Sequence, residues 1–334
     1  MTTLDLVPGL ITTREEVAQA YGGSRYSGGI VPAKDSGKVF VYSDPSVGEK
    51  HGYTFDGHAE DDEFGTLFLY TGAGPEGDQQ MVRGNKTLMD TLTDGRDVHL
   101  FVADGKAAPG KKLVKQRYVG QVMLDPNLPY VVRRAPDKHE EMRDVYVFRF
   151  RPATGAVLRF EPKDAVPPAT KSGVEDLPIE WPALVVEDVK GKKTEQHKTS
   201  ETIANVKGGP RTVLRREGQL VTAFEKFLIA AGHEFKSFQI TVEGEPGPLV
   251  PDLYDITANV LYEAKGLTTR ANIRMAVGQL LDYRRHLKKE VPCGLRIAVL
   301  LPSEPTPDVR EWLESEEIAL VVQNGVGFTG FPAL

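Results

Sequence analysis

The sequence contains very little cysteine and no long apolar segment. Cys293 is the single cysteine among 334 residues, which excludes an internal disulfide framework and any zinc site built from several thiolates. No apolar run approaches the ~18 residues that a membrane-spanning helix needs. The N-terminal stretch lacks the charged region and apolar core of a secretory signal. We therefore expect a soluble, cytoplasmic protein with no membrane partner.

The net charge of −6 argues at first against a polyanionic partner, but the charge is unevenly distributed. Residues 106–134 contain seven Lys or Arg and one acid, and residues 189–216 contain eight Lys or Arg and two acids. Such segments can neutralise DNA phosphates and release counterions while the remaining surface stays acidic. A solvated linker explains the same composition. The distribution of charge is therefore compatible with a nucleic-acid partner but does not establish one.

The length predicts two domains, and the pattern changes along the chain. Residues 1–160 contain short runs of aromatic and β-branched residues between turn signals, which indicates a twisted sheet or barrel. Residues 161–211 are rich in Pro, Lys, Ser and Thr and are predicted to form a basic linker. Residues 212–334 alternate helical and strand-like segments, as in an α/β domain. The strand-like runs of the first half are 38–44, 66–72, 97–103, 118–124 and 144–150.

Two carboxylates and a lysine in the second half predict a metal-dependent site. Asp252 follows a proline, and Glu263 and Lys265 flank Ala264 at the end of an apolar strand-like run. Because side chains alternate along a strand, Glu263 and Lys265 share one face, and a turn or hairpin would bring Asp252 beside them. Two close carboxylates repel unless a hard cation such as Mg²⁺ (or Mn²⁺) lies between them. The lysine would offset charge on a phosphate, so the chemistry indicated is phosphodiester hydrolysis.

Two helices complete this pattern. Glu217 lies on the helix that opens the domain, and Gln279 and Tyr283 are four residues apart on a later helix, where they share one face. The whole pattern resembles the PD-(D/E)xK nuclease superfamily over roughly residues 212–325. The resemblance implies an α/β nuclease core with a Mg²⁺-dependent endonuclease site. Its catalytic residues would be Asp252, Glu263, Lys265, Gln279 and Glu217.

The resemblance also implies the metal ligands, which would be Asp252 and Glu263. Asp255 is an alternative to Asp252, since the segment PDLYD offers two carboxylates. A non-catalytic interpretation places Asp252 in a turn and Glu263 and Lys265 on a solvated strand face.

The N-terminal half carries a second set of motifs. An acidic segment, EDDEFG, precedes a Y-T-G-x-G element at 70–74, and G-D-Q and G-N-K-x-L elements follow at 77–79 and 84–88. Over about residues 20–150 this order resembles the SRA domain family. The resemblance implies an α+β domain with a twisted β-barrel that flips a modified cytosine out of DNA into a pocket.

By that resemblance, three residues would form the base pocket. Asp62 would accept a hydrogen bond from the exocyclic amine of the cytosine, Tyr70 would stack on the ring, and Thr71 would line the pocket. Flipping costs a few kcal/mol, which these contacts must recover. Alternatively, Tyr70 is a core aromatic of a strand and Asp62 belongs to an acidic loop.

Two further points remain open in this half. The second stacking aromatic of the family falls near Ala59, where this sequence has no aromatic residue. Asn85 and Lys86 either contact DNA or cap a turn. The candidates to replace the missing aromatic are His58, Phe55 and Tyr53.

Together these motifs predict a modification-dependent, type IV-like restriction endonuclease: an SRA-like domain at 1–160, a basic linker at 161–211 and a nuclease domain at 212–334. Its partner would be double-stranded DNA carrying 5-methylcytosine or another modified cytosine. One site per chain suggests a homodimer, because both strands must be cut. One alternative is a non-catalytic protein that binds methylated DNA, with a scaffold in place of a nuclease. Another is a nuclease whose N-terminal half reads a different DNA mark.

Overall fold

The computed structural model describes residues 4–26, 28–45, 53–62, 64–106, 114–177 and 210–331. The chain divides into two compact units. The first comprises Met1–Pro178, Lys236–Pro251 and Arg285–Glu290. The second comprises Ile179–Phe235, Asp252–Arg284 and Val291–Leu334.

The first unit is built on a nine-stranded sheet. Its strands are β1 (Ile11–Thr12), β2 (Ile30–Ala33), β3 (Lys38–Ser43), β4 (Gly57–His58), β5 (Phe68–Thr71), β6 (Asp97–Lys106), β7 (Val114–Leu124), β8 (Tyr130–Pro136) and β9 (Met142–Pro152). Seven of them follow the order β2-β3-β6-β7-β9-β5-β4, while β1 pairs with β7 and β8 pairs with β9. Outside this sheet, β10 (Gly173–Leu177) runs antiparallel to β11 (Phe235–Thr241).

Two helices pack in the first unit. The helix α1 (Arg14–Tyr21) begins with a capping box in which Thr13 and Glu16 satisfy each other's backbone N–H groups. The helix α2 (Arg83–Asp94) ends at Gly95, whose φ of 74° is the left-handed conformation that favours glycine. The alternating strands bury one apolar face under α2, because each second side chain points inward. The fully buried side chains of this core include Val39, Phe68, Leu88, Leu100, Phe148 and Phe150.

The second unit is an α/β arrangement. Its elements are α3 (Pro210–Ala230), β12 (Leu253–Asp255), β13 (Val260–Ala264), α4 (Arg270–Leu287), β14 (Arg296–Leu301), α5 (Pro307–Ser315), β15 (Ala319–Asn324) and β16 (Gly327–Thr329). The strands β13, β14 and β15 are parallel, and β12 and β16 are antiparallel additions at either side. The strand β13 is buried throughout, as expected for a strand covered on both faces. Its core includes Leu220, Phe224, Tyr262, Ala298 and Leu300.

The structure confirms a mixed α/β chain, and the five predicted strand runs coincide with β3, β5, β6, β7 and β9. The expected barrel, however, is not closed within the described residues. The strand order is open and ends at β2 and β4, which have four and two residues. Strands this short offer too few ladder hydrogen bonds to join the two edges of the sheet.

The predicted linker at 161–211 is described only in part. Its first residues form a 3-10 turn at Pro162–Asp164 and then β10. Residues 178–209, which hold most of the second basic segment, lie outside the described residues. No helix in the described part of the chain is both long and apolar enough to cross a membrane.

Candidate functional site

A hairpin in the second unit brings together the carboxylates that the sequence suggested. In the pairing of β12 with β13, Leu253 lies opposite Tyr262, so the register places Asp252 beside Glu263. The Ala264 N–H donates to Asp252 Oδ2 at 2.7 Å, which holds this carboxylate against the next strand. Lys265 Nζ donates to Glu263 Oε1 at 2.8 Å. The hairpin thus assembles two carboxylates and an ammonium group.

Burial controls the charge of this cluster. The side chains of Glu263 and Lys265 are only 4% and 8% exposed. Burial and the neighbouring charge of Glu263 raise the pKa of Asp252 to about 8. Burial also raises the pKa of Glu263 to about 7, although Lys265 opposes that shift. Burial acts to lower the pKa of Lys265, but the surrounding carboxylates outweigh it and the net shift is upward. If both carboxylates were ionised, the pair would carry more negative charge than one lysine neutralises, so burial favours a proton or another cation on the pair.

Two helices bring further polar groups toward the hairpin. Glu217, on α3, accepts a hydrogen bond from the Gly266 N–H at 3.2 Å, and its charge acts on both Glu263 and Lys265. On α4, Gln279 Nε2 donates to the Tyr283 hydroxyl at 3.1 Å. Burial and then the charge of Glu263 raise the pKa of Tyr283. The structure thus groups all five residues predicted for catalysis in one unit.

An unsatisfied oxygen provides a test of whether these residues fit a cation. Glu263 Oε2 is buried and has no hydrogen-bond partner among the described residues. A buried acceptor without a partner is costly, and a cation beside Asp252 would satisfy it. No group of three or more His, Cys, Asp or Glu residues placed to hold a metal occurs in the described ranges. Mg²⁺ is commonly held by one or two carboxylates, with water and phosphate completing its shell, so the two-carboxylate site fits this ion.

Asp255, the alternative ligand, is already engaged. Its Oδ2 lies 2.7 Å from His233 Nδ1, and its Oδ1 accepts the Ala258 N–H at 2.9 Å. Asp255 is fully buried, and it lies opposite Val260, three residues before Glu263 on β13. The geometry favours Asp252 over Asp255 as the partner of Glu263.

In the first unit, a buried carboxylate outside the sequence motifs lies next to Thr71. Asp56 Oδ1 accepts the Thr71 N–H at 2.6 Å, and Asp56 Oδ2 accepts a hydrogen bond from Ser43 Oγ at 2.9 Å. Burial raises the pKa of Asp56 to about 6, although these hydrogen bonds oppose the shift. The sequence pattern that could have indicated this carboxylate is Tyr53 followed by Asp56, directly before Gly57 at the start of β4.

Tyr70 is buried beside this carboxylate. Burial, followed by the charge of Asp56, raises its pKa, and the hydroxyl of Tyr53 also contributes. A Cβ atom on Gly29 would lie 2.0 Å from the Tyr70 hydroxyl, so only glycine permits the close approach of this loop. Asp56, Tyr53, Tyr70 and Gly29 therefore define a compact polar and aromatic group, which we call the Asp56 cluster.

Asp62, the predicted base-binding carboxylate, makes different contacts. Its oxygens pair with Arg149 at 3.0 Å and with Arg151 at 2.6 Å. Burial acts to raise the pKa of Asp62, but the arginine contacts outweigh it and lower the pKa. Asp125 neutralises the same arginines from a buried position. Asp62 is thus tied into an ion-pair network, and the role predicted for it remains a prediction.

The other predicted DNA-binding residues are also placed by the structure. Asn85 is 1% exposed, and its amide accepts the Ala73 N–H and donates to the carbonyls of Ala73 and Gln80. These contacts favour the turn-capping alternative, because the amide oxygen and both amide hydrogens of Asn85 already have backbone partners. Lys86 is exposed and pairs with Asp90 at 2.7 Å. His58 stacks on Phe160, with ring centroids 4.2 Å apart.

Comparison with known proteins gives one family match, within the first unit. Residues 9–166 match the family model described as "ScoMcrA-like, SRA domain". No curated protein matches the chain significantly.

Among solved structures, the chain is similar to the sulfur-binding and SRA domains of ScoMcrA complexed with phosphorothioated DNA. The identity is 21%, the TM-score is 0.33, and the match covers 45% of this chain and 40% of that one. It is also similar to the type IV phosphorothioation-dependent restriction endonuclease ScoMcrA, with 20% identity, a TM-score of 0.33 and coverage of 45% and 28%. A third similar structure is the SRA domain of SUVH5 with fully methylated CG DNA, with 19% identity, a TM-score of 0.32 and coverage of 48% and 97%. The match thus spans less than half of either ScoMcrA chain.

Proposed function

We propose that the chain reads a modified cytosine in double-stranded DNA, since residues 9–166 match the family model of the ScoMcrA-like SRA domain. Its second unit hydrolyses phosphodiester bonds with Mg²⁺ or Mn²⁺, and the chain acts as a modification-dependent restriction endonuclease. The observation that carries the proposal is the buried group of Asp252, Glu263 and Lys265, in which Glu263 Oε2 lacks a hydrogen-bond partner among the described residues.

The Asp56 cluster is the proposed base pocket. A base extruded from the duplex exposes its amine and ring nitrogen, which must regain hydrogen bonds lost to water. Asp56 offers carboxylate lone pairs for the amine beyond those used by Thr71 and Ser43. Tyr53 is half-buried and supplies aromatic surface near that carboxylate, whereas Tyr70 packs in the core of the sheet beside it. We therefore assign to Asp56 the role that the sequence pattern gave to Asp62.

The chemistry of the second unit follows from its own residues. Asp252 and Glu263 would hold the cation, which stabilises negative charge on the scissile phosphate when bound. Lys265 projects from the same strand edge and would place its ammonium group against a phosphate oxygen. Glu217 acts as a positioning residue, since it holds the Gly266 N–H and so fixes the turn that follows Lys265.

A matched cleavage assay tests the proposal. Cytosine-methylated and unmethylated duplexes of one sequence are incubated with Mg²⁺ or with EDTA, at a single stated salt concentration. We expect metal-dependent cleavage of the methylated duplex alone. Cleavage of both duplexes would retain the nuclease and remove the base reader. Binding of only the methylated duplex, without cleavage, would remove the nuclease.

One observation favours the non-catalytic alternative. Lys265 Nζ already donates to Glu263 Oε1, and the raised pKa values of Glu263 and Asp252 allow the pair to hold a shared proton near neutral pH. A scaffold could use the same cluster as a neutral, hydrogen-bonded core. Mg²⁺ titration separates the two functions, because a scaffold would show no metal-dependent rise in melting temperature.

A further inference from the structure

Arg143, on β9, is a buried cation whose hydrogen bonds go to backbone carbonyls rather than to a carboxylate. Arg143 is 2% exposed, and its Nη1 donates to the carbonyl of Gly77 at 3.2 Å and to that of Gly74. Its Nε and Nη2 are also buried, and neither has a hydrogen-bond partner among the described residues. A charged group that is buried with unpaired N–H groups is costly. Arg143 therefore has donors in place for one more acceptor.

Phe55 connects Arg143 to the Asp56 cluster. It packs with Val145 of β9 in one buried apolar cluster. Because alternate side chains of a strand point to the same side, Arg143 shares the face of β9 on which Phe55 packs. Arg143 is two residues from Val145 on that strand. Tyr53 is two residues from Phe55, so each of these steps spans at most about 7 Å. Tyr53 is therefore within reach of the Arg143 guanidinium.

The charge of Arg143 acts on Tyr53, which agrees with this placement. Burial raises the pKa of Tyr53, the charge of Arg143 opposes that shift, and the charge of Asp56 adds to it. The Tyr53 side chain is half-buried. Its ring thus has both a cation and the proposed base-binding carboxylate as neighbours.

We propose that Arg143 positions Tyr53 as one wall of the base pocket, with the Tyr53 hydroxyl accepting a hydrogen bond from the Nε–Nη2 edge of the guanidinium. The inference rests on the proposed function, because it takes the Asp56 cluster as the base pocket. A tyrosine ring that is held in place before the base arrives loses less conformational entropy when the base stacks on it. Arg143 thereby strengthens binding of the extruded base without touching DNA.

The same guanidinium fixes a second border of the pocket. Gly74 and Gly77, whose carbonyls accept from Arg143, belong to the loop that follows Thr71. Thr71 in turn holds Asp56 through its N–H. Arg143 therefore ties together the two chain segments that border the pocket, as expected of a residue that supports a binding site from behind.

Tyr53→Phe and Arg143→Met test the contact, because the first removes only the hydroxyl and the second removes the donors. Full-length protein is titrated with cytosine-methylated and unmethylated duplexes in EDTA at one salt concentration, and fluorescence anisotropy gives the ratio of the two affinities. We expect each substitution to lower this ratio about three- to tenfold, as for loss of one hydrogen bond. The double variant should lower it no further, because both changes break the same contact.

Arg134→Met is the matched control. Arg134 lies on β8 opposite Asp144 and donates to that carboxylate at 2.8 Å, so its side chain is on the other side of the sheet from Arg143. We expect a lower melting temperature and an unchanged affinity ratio. Tyr53→Phe keeps the hydrogen bonds of Arg143 to the loop carbonyls, so the test does not depend on the stability of Arg143→Met.

A measurement without DNA reports the contact itself. Fluorotyrosine incorporated at position 53 gives one fluorine resonance, which Arg143→Met should move toward that of solvent-exposed fluorotyrosine and Arg134→Met should not. An unmoved resonance, additive losses in the double variant, or an affinity ratio that neither substitution changes would overturn the role of Arg143. A wild-type protein with no preference for the methylated duplex would instead remove the base pocket, while the resonance would still report whether Arg143 holds Tyr53.

Discussion

The two units bury carboxylates in different ways. In the first unit, Asp56 accepts hydrogen bonds from the Thr71 N–H and Ser43 Oγ, so a single charge is stabilised by neutral donors. In the second, Asp252 and Glu263 lie side by side, and Glu263 Oε2 is buried without a partner among the described residues. The first arrangement suits a neutral ligand with donor groups, such as a base. The second would carry excess negative charge with both carboxylates ionised, and a bound cation would balance it.

The largest expected effect is on cleavage by the second unit. Asp252→Asn removes a proposed ligand, and Lys265→Ala removes the ammonium group. We expect each to lower the cleavage rate by about a hundred- to a thousandfold, as for loss of a main transition-state contact. Binding of the methylated duplex should stay unchanged, since neither residue lies in the first unit. Single-turnover cleavage and a binding titration on the same preparations measure both.

Asp255→Asn is the matched control for this effect. Asp255 is a buried carboxylate on the same hairpin, but it pairs with His233 rather than Glu263. We expect a lower melting temperature and a retained response to Mg²⁺. If Asp252→Asn and Lys265→Ala both cut normally, the second unit is not the nuclease that we propose.

The second-largest expected effect is on DNA binding, and it distinguishes the roles of Asp56 and Asp62 in the first unit. Asp56→Asn should weaken binding of the methylated duplex by about 10–100-fold, the range for a hydrogen bond to a charged group. Asp62→Asn breaks its contacts with Arg149 and Arg151 and should lower stability. It should leave the preference for methylated over unmethylated DNA unchanged. Fluorescence anisotropy on both duplexes gives the ratio, and the opposite pattern would return the base-binding role to Asp62.

Much of this arrangement follows from local patterns in the sequence. Alternation along β13 predicts that Glu263 and Lys265 share a face, and the hairpin that places Asp252 beside them is present. Asp56 was not predicted because its contact with Thr71 joins residues 15 positions apart in the sequence. The periodic patterns of helices and strands do not indicate a contact of this kind. Leu281 fits the apolar spacing of α4, yet it is exposed. Spacing shows which residues lie together on a helix, whereas the packing of neighbours decides which face is covered.

The smallest effect is on stability as a function of pH. Asp252 and Glu263 have folded-state pKa values of about 8 and about 7, above the ~4 of unfolded carboxyls. A raised carboxyl pKa stabilises the folded state at low pH, and this contribution is lost as pH rises through the folded pKa. Without metal, the melting temperature should therefore fall between about pH 4, the unfolded pKa, and about pH 8, the higher folded pKa, by a few degrees.

Mg²⁺ should act in the opposite sense over the same window, because it binds the ionised carboxylates that destabilise the metal-free protein. The rise in melting temperature caused by Mg²⁺ should grow with pH, and at a concentration of 100 times its Kd the ion would add about 2.7 kcal/mol. Asp252→Asn should flatten both pH dependences, since it removes one ionisation and one proposed ligand together. Asp282→Asn, on the outer side of α4, should change neither. A Mg²⁺ effect that does not depend on pH would indicate that the ion binds away from Asp252 and Glu263. The contrast between the buried carboxylates of the two units would then no longer explain metal binding by the second unit.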